Sequence, residues 1–266
     1  MTEPQPMLQP MLQPAWPAPA NVAALFTTRR GGASTAQWGD AQGCGGLNLG
    51  AHCGDLAERV ALNRQRLADH VGRPVRWLNQ VHGTRVLAVA GGGEPDAVEL
   101  DAFEPADAHV STTADVALGV LVADCLPVLL ADRNGSVIGA AHAGWRGLSA
   151  GVLENTVAAM RALRPDAELL AWLGPCIGPT AFEVGQDVLD AFVRGDPGAA
   201  ALFRAGARPG KWWADLAGLA GRRLERLGVG SVTTAAHCTV GNRDDFWSYR
   251  RDGVCGRMAA VIWLQG

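Results

Sequence analysis

Two histidines and a cysteine carry the chemistry most open to this chain: His82 in NQVHG, Cys125 in ADCLPVLL and His142 in AAHAGWRG. Each sits at the end of an apolar run that reads as a β-strand. Imidazole nitrogen and thiolate sulfur are ligands that zinc prefers, and three protein ligands leave the fourth tetrahedral position for water or substrate. That open position separates a catalytic zinc from a structural one. The segment ALGVLVADCLPVLLADRNGSVIGAAHAG reads as two apolar strands joined at Asn134-Gly135, a strong hairpin signal. A loop running from Asp132 to Gly135 puts Cys125 directly opposite His142; a turn of Asn134-Gly135 alone makes them diagonal neighbours. Both registers place the two side chains on one face. Pro127 cannot donate to a ladder, so it implies an edge or a bulge just beyond Cys125. His82 must arrive from elsewhere in the fold.

The flanking residues strengthen a site over its bland alternatives, a cysteine that fills a core and histidines that belong to turns. Asp124 precedes Cys125 and could act as a base or orient a ligand. Gly144 and Gly147 follow His142, and small residues beside a ligand let backbone approach closely. Further along, Ser248 to Gly253 reads SYRRDG and sets Arg250 and Arg251 beside Tyr249, the only tyrosine. Guanidinium forks suit phosphate and a tyrosine ring can stack on a purine; a solvated turn with its own ion pair to Asp252 is the alternative. Arg29 before Gly31-Gly32, and Asn48 before Gly50, are polar residues beside flexible backbone. Such loops build pockets or are ordinary turns.

The motifs FTTRRGG, LNLGAHCGD, NQVHG, ADCLPVLL, AAHAGWRG, GPCIGPTAFEVG and FWSYRRDGVCGRMAAVIW, in that order from about Leu25 to Leu264, resemble the YfiH family. The family is also called the laccase-domain or multicopper polyphenol oxidase family, and the peptidoglycan editing factor family. The resemblance implies a zinc-dependent purine nucleoside phosphorylase acting on adenosine, inosine or methylthioadenosine with phosphate, and an adenosine deaminase activity beside it. It implies that His82, Cys125 and His142 hold the metal; Cys125 and Asp124 are read from their own chemistry as the catalytic residues. Substrate contacts are expected from Arg29, Asn48, Tyr249, Arg250 and Arg251. It also implies an α/β fold: a single layered domain of mixed β-sheets flanked by helices, similar to the cytotoxic necrotizing factor catalytic domain. Two departures stand out. The interval from His82 to Cys125 carries an insertion around GGGEPDAVELDAFEP, and Thr180-Ala181 stands where the family's paired cysteine usually follows GPCIGP. Two rival activities share the same residues: a zinc amidase editing peptidoglycan precursors, and a copper-dependent phenol oxidase. Copper is the second choice of metal, because a blue-copper centre wants an axial ligand such as Met. None of the five Met lies near the triad in sequence, and six His are too few for a multicopper enzyme.

The elements that must position these residues read as follows. Ala23 to Thr28 is a strand entering an Arg29–Gly32 turn, followed by a long loop over 33–54. A helix begins near Leu56 with Asp55 as cap and Glu58 at the capping-box position, and ends at Gly72 and Pro74. Strands follow at 75–82 and 84–89, then the acid-rich insertion at 91–106 and the metal hairpin. Helices are expected at 149–163, 184–194 and 212–227, with strands at 168–173, 231–236 and 257–264.

The chain has 266 residues, 48% of them hydrophobic and 18% charged, the balance of a globular enzyme with a sizeable core. A net charge of −3 and no basic run beyond two residues give no case for nucleic acid. No apolar stretch reaches membrane-spanning length. The six cysteines show no CxxC pair, which argues against a zinc ribbon. Residues 1–20, rich in Pro and Gln, lack the features of a signal peptide and read as a disordered tail before a domain at 21–266. A cytoplasmic protein with reduced thiols is the expectation.

Overall fold

The computed structural model describes residues 11–90 and 105–266. The first strands are β1 (Met11–Leu12), β2 (Val22–Thr27), β3 (Arg30–Ser34), β4 (Val75–Arg76) and β5 (Val86–Val89). The middle of the chain supplies β6 (Ala108–Ser111), β7 (Ala117–Val122), β8 (Leu126–Asp132), β9 (Ile138–Ala143) and β10 (Leu169–Leu173). The last are β11 (Glu183–Gly185), β12 (Phe203–Ala205), β13 (Lys211–Ala214), β14 (Ser231–Thr234) and β15 (Met258–Leu264). Helices are α1 (Ala57–Val71), α2 (Trp145–Ala150), α3 (Val152–Leu163), α4 (Gln186–Val193), α5 (Leu216–Arg226) and α6 (Tyr249–Asp252).

Two mixed sheets stack face to face. One runs β1-β2-β15-β7-β4 and the other β14-β10-β8-β9-β6-β5, while β11-β13-β12 forms a small third sheet. Period-two alternation assigns every core side chain to a layer. On β7, Leu118, Val120 and Val122 meet Leu129, Ala131, Ile138 and Ala140 of β8 and β9 between the sheets. The opposite face of β7 offers Ala117 and Leu121 to Leu67 and Val71 of α1. Leu126, Val128 and Leu130 of β8 point away from the first sheet and pack on α3 and α5 through Val157, Met160 and Leu219. The result is helix, sheet, sheet, helix, the layered α/β arrangement that the family resemblance implies.

The apolar run through Cys125 is not one strand. β7 lies in the first sheet and β8 in the second, so the chain crosses between stacked sheets at Ala123-Asp124-Cys125. Beyond that crossing the hairpin forms as the Asn134-Gly135 register requires, with Pro127 opposite His142 and Leu126 opposite Ala143. Cys125 and His142 are therefore diagonal neighbours on the face turned toward the first sheet. The expected edge or bulge at Pro127 is not there: β8 is a central strand. Pairing with β10 ends at Val128, so the missing Pro127 N–H falls where that ladder has stopped, and its carbonyl still accepts from Gly174 at 2.9 Å.

Several local expectations give way to tertiary contacts. Residues 77–85 form no strand, and His82 lies in the connection between β4 and β5. Arg30 continues into β3 rather than closing a turn. Asp55 does not cap α1; its carboxylate takes Ser34 Oγ at 2.6 Å and Asn48 Nδ2 at 3.0 Å. The helix expected at 149–163 breaks at Gly151 (φ 108°) into α2 and α3. Helices α4 and α5 start late because residues 183–185 and 211–214 pair as strands. Of the expected disordered tail, Met11 and Leu12 instead pair with Thr27 and Phe26. The insertion at 91–106 lies outside the described residues except for its last two positions.

Candidate metal centre

His82, Cys125 and His142 converge, their ligand atoms all within 4.8 Å of one another. Cys125 Sγ lies 3.7 Å from His82 Nε2, and the imidazoles meet edge to face at 4.8 Å between centroids. Burial grades across the site: His142 is buried, Cys125 half-buried and His82 exposed. The site therefore opens on the His82 side, as a fourth position for substrate requires.

Different elements deliver the three groups. His142 is near the end of β9, Cys125 ends the inter-sheet crossing, and His82 stands on a turn at φ 61°. Asp124, at φ 81°, makes the crossing possible. Left-handed backbone costs a non-glycine residue about 1–3 kcal/mol and collects at functional sites. At Asp124 that cost is offset by charge-assisted hydrogen bonds, each worth about 1.5–3 kcal/mol. Its carboxylate accepts Thr239 Oγ1 at 2.5 Å, Ser248 Oγ at 3.0 Å and the Arg250 N–H at 2.7 Å. Its carbonyl accepts the Ile177 N–H at 2.9 Å.

Asp107 anchors the other two ligands, and the sequence reading missed it. It lies one residue before β6, and the β6–β9 register extended by one step sets it directly opposite His142. His142 Nδ1 donates to Asp107 Oδ1 at 2.7 Å, which leaves Nε2 for a metal. The same carboxylate accepts the backbone N–H groups of Val81 (3.1 Å), His82 (2.9 Å) and Gly83 (2.6 Å). One fully buried carboxylate thus sets the ring orientation of one ligand and the turn that carries another. Burial alone would push its pKa up; the His142 hydrogen bond and the backbone donors overcome it and hold the pKa below the usual value.

Two glycines in AHAGWRG explain themselves here. A Cβ at Gly144 would stand 2.9 Å from His82 Cδ2 and 3.0 Å from Cys125 Sγ, and one at Gly147 would meet the Gly83 carbonyl at 2.6 Å. A larger residue at either position would push the ligands apart.

The electrostatics suit a cation. Burial would raise the Cys125 thiol, yet the two imidazoles bring it down to about 6. Burial would lower His142, yet the facing sulfur and Asp107 raise it to about 9. From the protein groups alone, neutral pH favours a thiolate beside an imidazolium. A divalent metal takes the thiolate directly and replaces the imidazolium proton. The donor set, two nitrogens and a sulfur with an aspartate behind one ring, fits zinc.

Residues 23–265 match the family described as multi-copper polyphenol oxidoreductase laccase. A purine nucleoside phosphorylase of Pseudomonas aeruginosa is 46% identical over 96% of this chain and 98% of its own. Purine nucleoside phosphorylase YfiH of Escherichia coli is also 46% identical, over the same shares. A crystal structure of a Neisseria meningitidis protein from the DUF152 family superposes with a TM-score of 0.87 at 50% identity, covering 97% of this chain and all of that one. YlmD from Geobacillus stearothermophilus superposes at 0.84 with 30% identity, covering 98% and 100%. The chain belongs to this laccase-like YfiH family.

Against that YfiH-family frame, the other residues singled out in the sequence divide. Arg250 and Tyr249 lie on the surface beside the centre, because α6 is tied through the Arg250 N–H to Asp124, the residue before Cys125. Tyr249 is 61% exposed. The exposed Arg250 guanidinium reaches the Glu183 carbonyl at 3.2 Å and lies over the Phe182 ring. Arg251 does something else. Its guanidinium bonds the carbonyls of Thr239, Val240 and Phe246 and the Asp252 carboxylate, all between 2.7 and 3.0 Å. Arg29 is buried against Trp247 and bonds the carbonyls of Gly39, Asp40 and Arg243. Asn48 is fully buried, accepting from Gly50 and Arg257 and donating to Gly50 and Asp55. At Arg29, Asn48 and Arg251, where substrate contact was expected, the polar atoms hold loops. Tyr249, Arg250 and Arg251 share α6, a helical turn capped by Ser248.

Proposed function

We propose that this chain is a zinc-dependent purine nucleoside phosphorylase, with residues 21–266 as one catalytic unit. The observation that carries the reading is the open His82/Cys125/His142 centre in a chain that aligns almost end to end with proteins named for that activity. Zinc, when bound by these three residues, would supply a Lewis acid at the open position. Copper stays the second choice of metal, because a blue-copper centre wants an axial ligand such as Met beside the two nitrogens and the sulfur.

The chain's own groups divide the remaining work. Asp107 holds His142 in the tautomer that frees Nε2 and holds the His82 turn in place. Asp124 acts as an orienter rather than a base, because both its oxygens are taken by Thr239, Ser248 and the Arg250 N–H. It thereby fixes Cys125 against α6. Arg250 has donors left over and a guanidinium suited to a phosphate oxyanion. Tyr249 presents an exposed ring for stacking on a purine. A reactive thiolate ligand calls for a reducing compartment, which supports a cytoplasmic setting; among the described residues no helix is long and apolar enough to cross a membrane.

Incubation of the purified protein with a mixed pool of nucleosides, muropeptide precursors and phenols, with and without phosphate, tests the reading. Phosphate-dependent loss of purine nucleosides is expected. Ammonia release from adenosine would add the deaminase, whereas amino-acid release or phenol oxidation with nucleosides untouched would overturn the assignment.

A further inference from the structure

A second group of reactive side chains lies away from the metal triad. The parallel strands β10 and β14 both end at a cavity of about 670 Å³, roofed by α5 and lined by Leu173, Asp215, Gly218, His237 and two cysteines, Cys176 and Cys238. None of the three metal-site residues lines it. Beyond the ends of the strands, Cys176 and Cys238 form an isolated parallel bridge. The Cys176 N–H donates to His237 and the Thr239 N–H to Cys176, at 3.3 and 3.0 Å, so the two cysteines are directly paired. Paired positions on neighbouring strands lie about 4.8 Å apart, inside the roughly 4.4–6.8 Å between Cα atoms that a disulfide spans. Both thiols are free in this structure.

The two sulfurs are not equivalent. Cys238 is half-buried and its Sγ accepts the Gly178 N–H at 3.2 Å. Cys176 is buried, with its Sγ 3.6 Å from the Ile177 carbonyl. The accessible, hydrogen-bonded sulfur faces an open cavity, and the shielded one stands next to it. That is the arrangement of an attacking and a resolving cysteine.

We propose that Cys176 and Cys238 form a thiol-modification site that reacts with low-molecular-weight disulfides and closes to an intrachain disulfide. The Cys238 thiolate attacks one sulfur of the small disulfide, forming a mixed disulfide and expelling one small thiolate. Cys176, losing its proton to solvent, attacks Cys238 Sγ and expels the second thiolate. The two protein thiols are oxidised by two electrons, and the small disulfide is reduced to two thiols. The closed bridge joins the segments next to Ile177 and Thr239, two of the four donors that hold Asp124. This inference does not depend on the nucleoside reading.

Oxidised glutathione is the probe, applied to the full chain preincubated with zinc and followed by alkylation and peptide mapping without reductant. Wild-type protein should yield a cross-linked pair of peptides carrying Cys176 and Cys238. Cys176→Ser should stop at one glutathione adduct on Cys238, and Cys238→Ser should leave Cys176 unmodified. A wild-type map in which exposed Cys44 carries glutathione while Cys176 and Cys238 stay alkylated would overturn the proposal. So would a stable adduct on Cys238 without the cross-link, or an adduct on Cys176 in the Cys238→Ser protein.

Discussion

The metal centre and the arginine-rich surface around α6 make an instructive pair, because both are built from residues that sequence marks as reactive. At the metal centre, supporting groups take only the far side of each ligand: Asp107 holds His142 Nδ1 and the His82 backbone, leaving Nε2 of His142 and the Cys125 sulfur facing inward. Around α6 the opposite holds for two of three arginines. Arg29 and Arg251 spend their guanidinium donors on backbone carbonyls, and only Arg250 keeps an exposed head. A charged side chain becomes a functional group only where its neighbours leave donors unspent. Residue type alone does not decide it.

That contrast can be broken at either end. The largest effect is expected at the ligands: Cys125→Ser and His142→Ala should lose most bound zinc by elemental analysis and abolish turnover while far-UV circular dichroism stays native. Full zinc occupancy in both would place the metal elsewhere. Asp107→Asn should fold and still bind metal, but about 10–100-fold more weakly, the range for losing the partner behind a ligand histidine. With its oxygen kept toward His142 and the His82 N–H, the amide presents an N–H₂ to the Val81 and Gly83 N–H groups. Unchanged zinc affinity by competition with a chelator would reduce Asp107 to packing.

The pH dependence of metal binding sharpens the same end. With Cys125 titrating near 6 and His142 near 9, zinc must displace one proton from this pair between those values and two below the lower one. Affinity should therefore rise about tenfold per pH unit from 6 to 9, more steeply below 6, and flatten above 9. A flat profile across 6–9 would mean that His142 is already neutral there.

At the arginine end, Arg250→Ala should raise the Michaelis constant for phosphate about tenfold to a hundredfold, from the loss of a charge-assisted bond of about 1.5–3 kcal/mol. Lysine at this position should restore only part of it. Arg251→Ala should leave that constant alone and lower the melting temperature, since its carbonyl partners lose their donors at roughly 1–3 kcal/mol. Identical phosphate saturation in the two variants would erase the distinction between them.

The hairpin face shared by Cys125 and His142 and the interleaving of strands and helices were legible in strand periodicity, whereas the joining of His82 to that pair and the layered architecture came from the family resemblance. What was illegible came from tertiary partners. The crossing at Asp124 looks like continuous strand, since both halves are apolar and only the stacking of two sheets bends the chain there. Asp107 carried no local signal: its role appears only when β6 pairs with β9, 35 residues away along the chain. Asp55 has the type of a helix cap, but Ser34 and Asn48 hold it first. Arg29 and Asn48 sit in motifs whose glycines suggested a pocket, and their donors turn inward to the loops themselves.

The most direct test of the central claim is the yield of ribose 1-phosphate from inosine, measured against zinc loading in wild-type and Cys125→Ser protein. The account predicts a product that requires phosphate, scales with zinc up to about one equivalent per chain, and is missing from the variant at every zinc concentration. Ribose 1-phosphate formed equally by the metal-stripped wild type or by Cys125→Ser would contradict it.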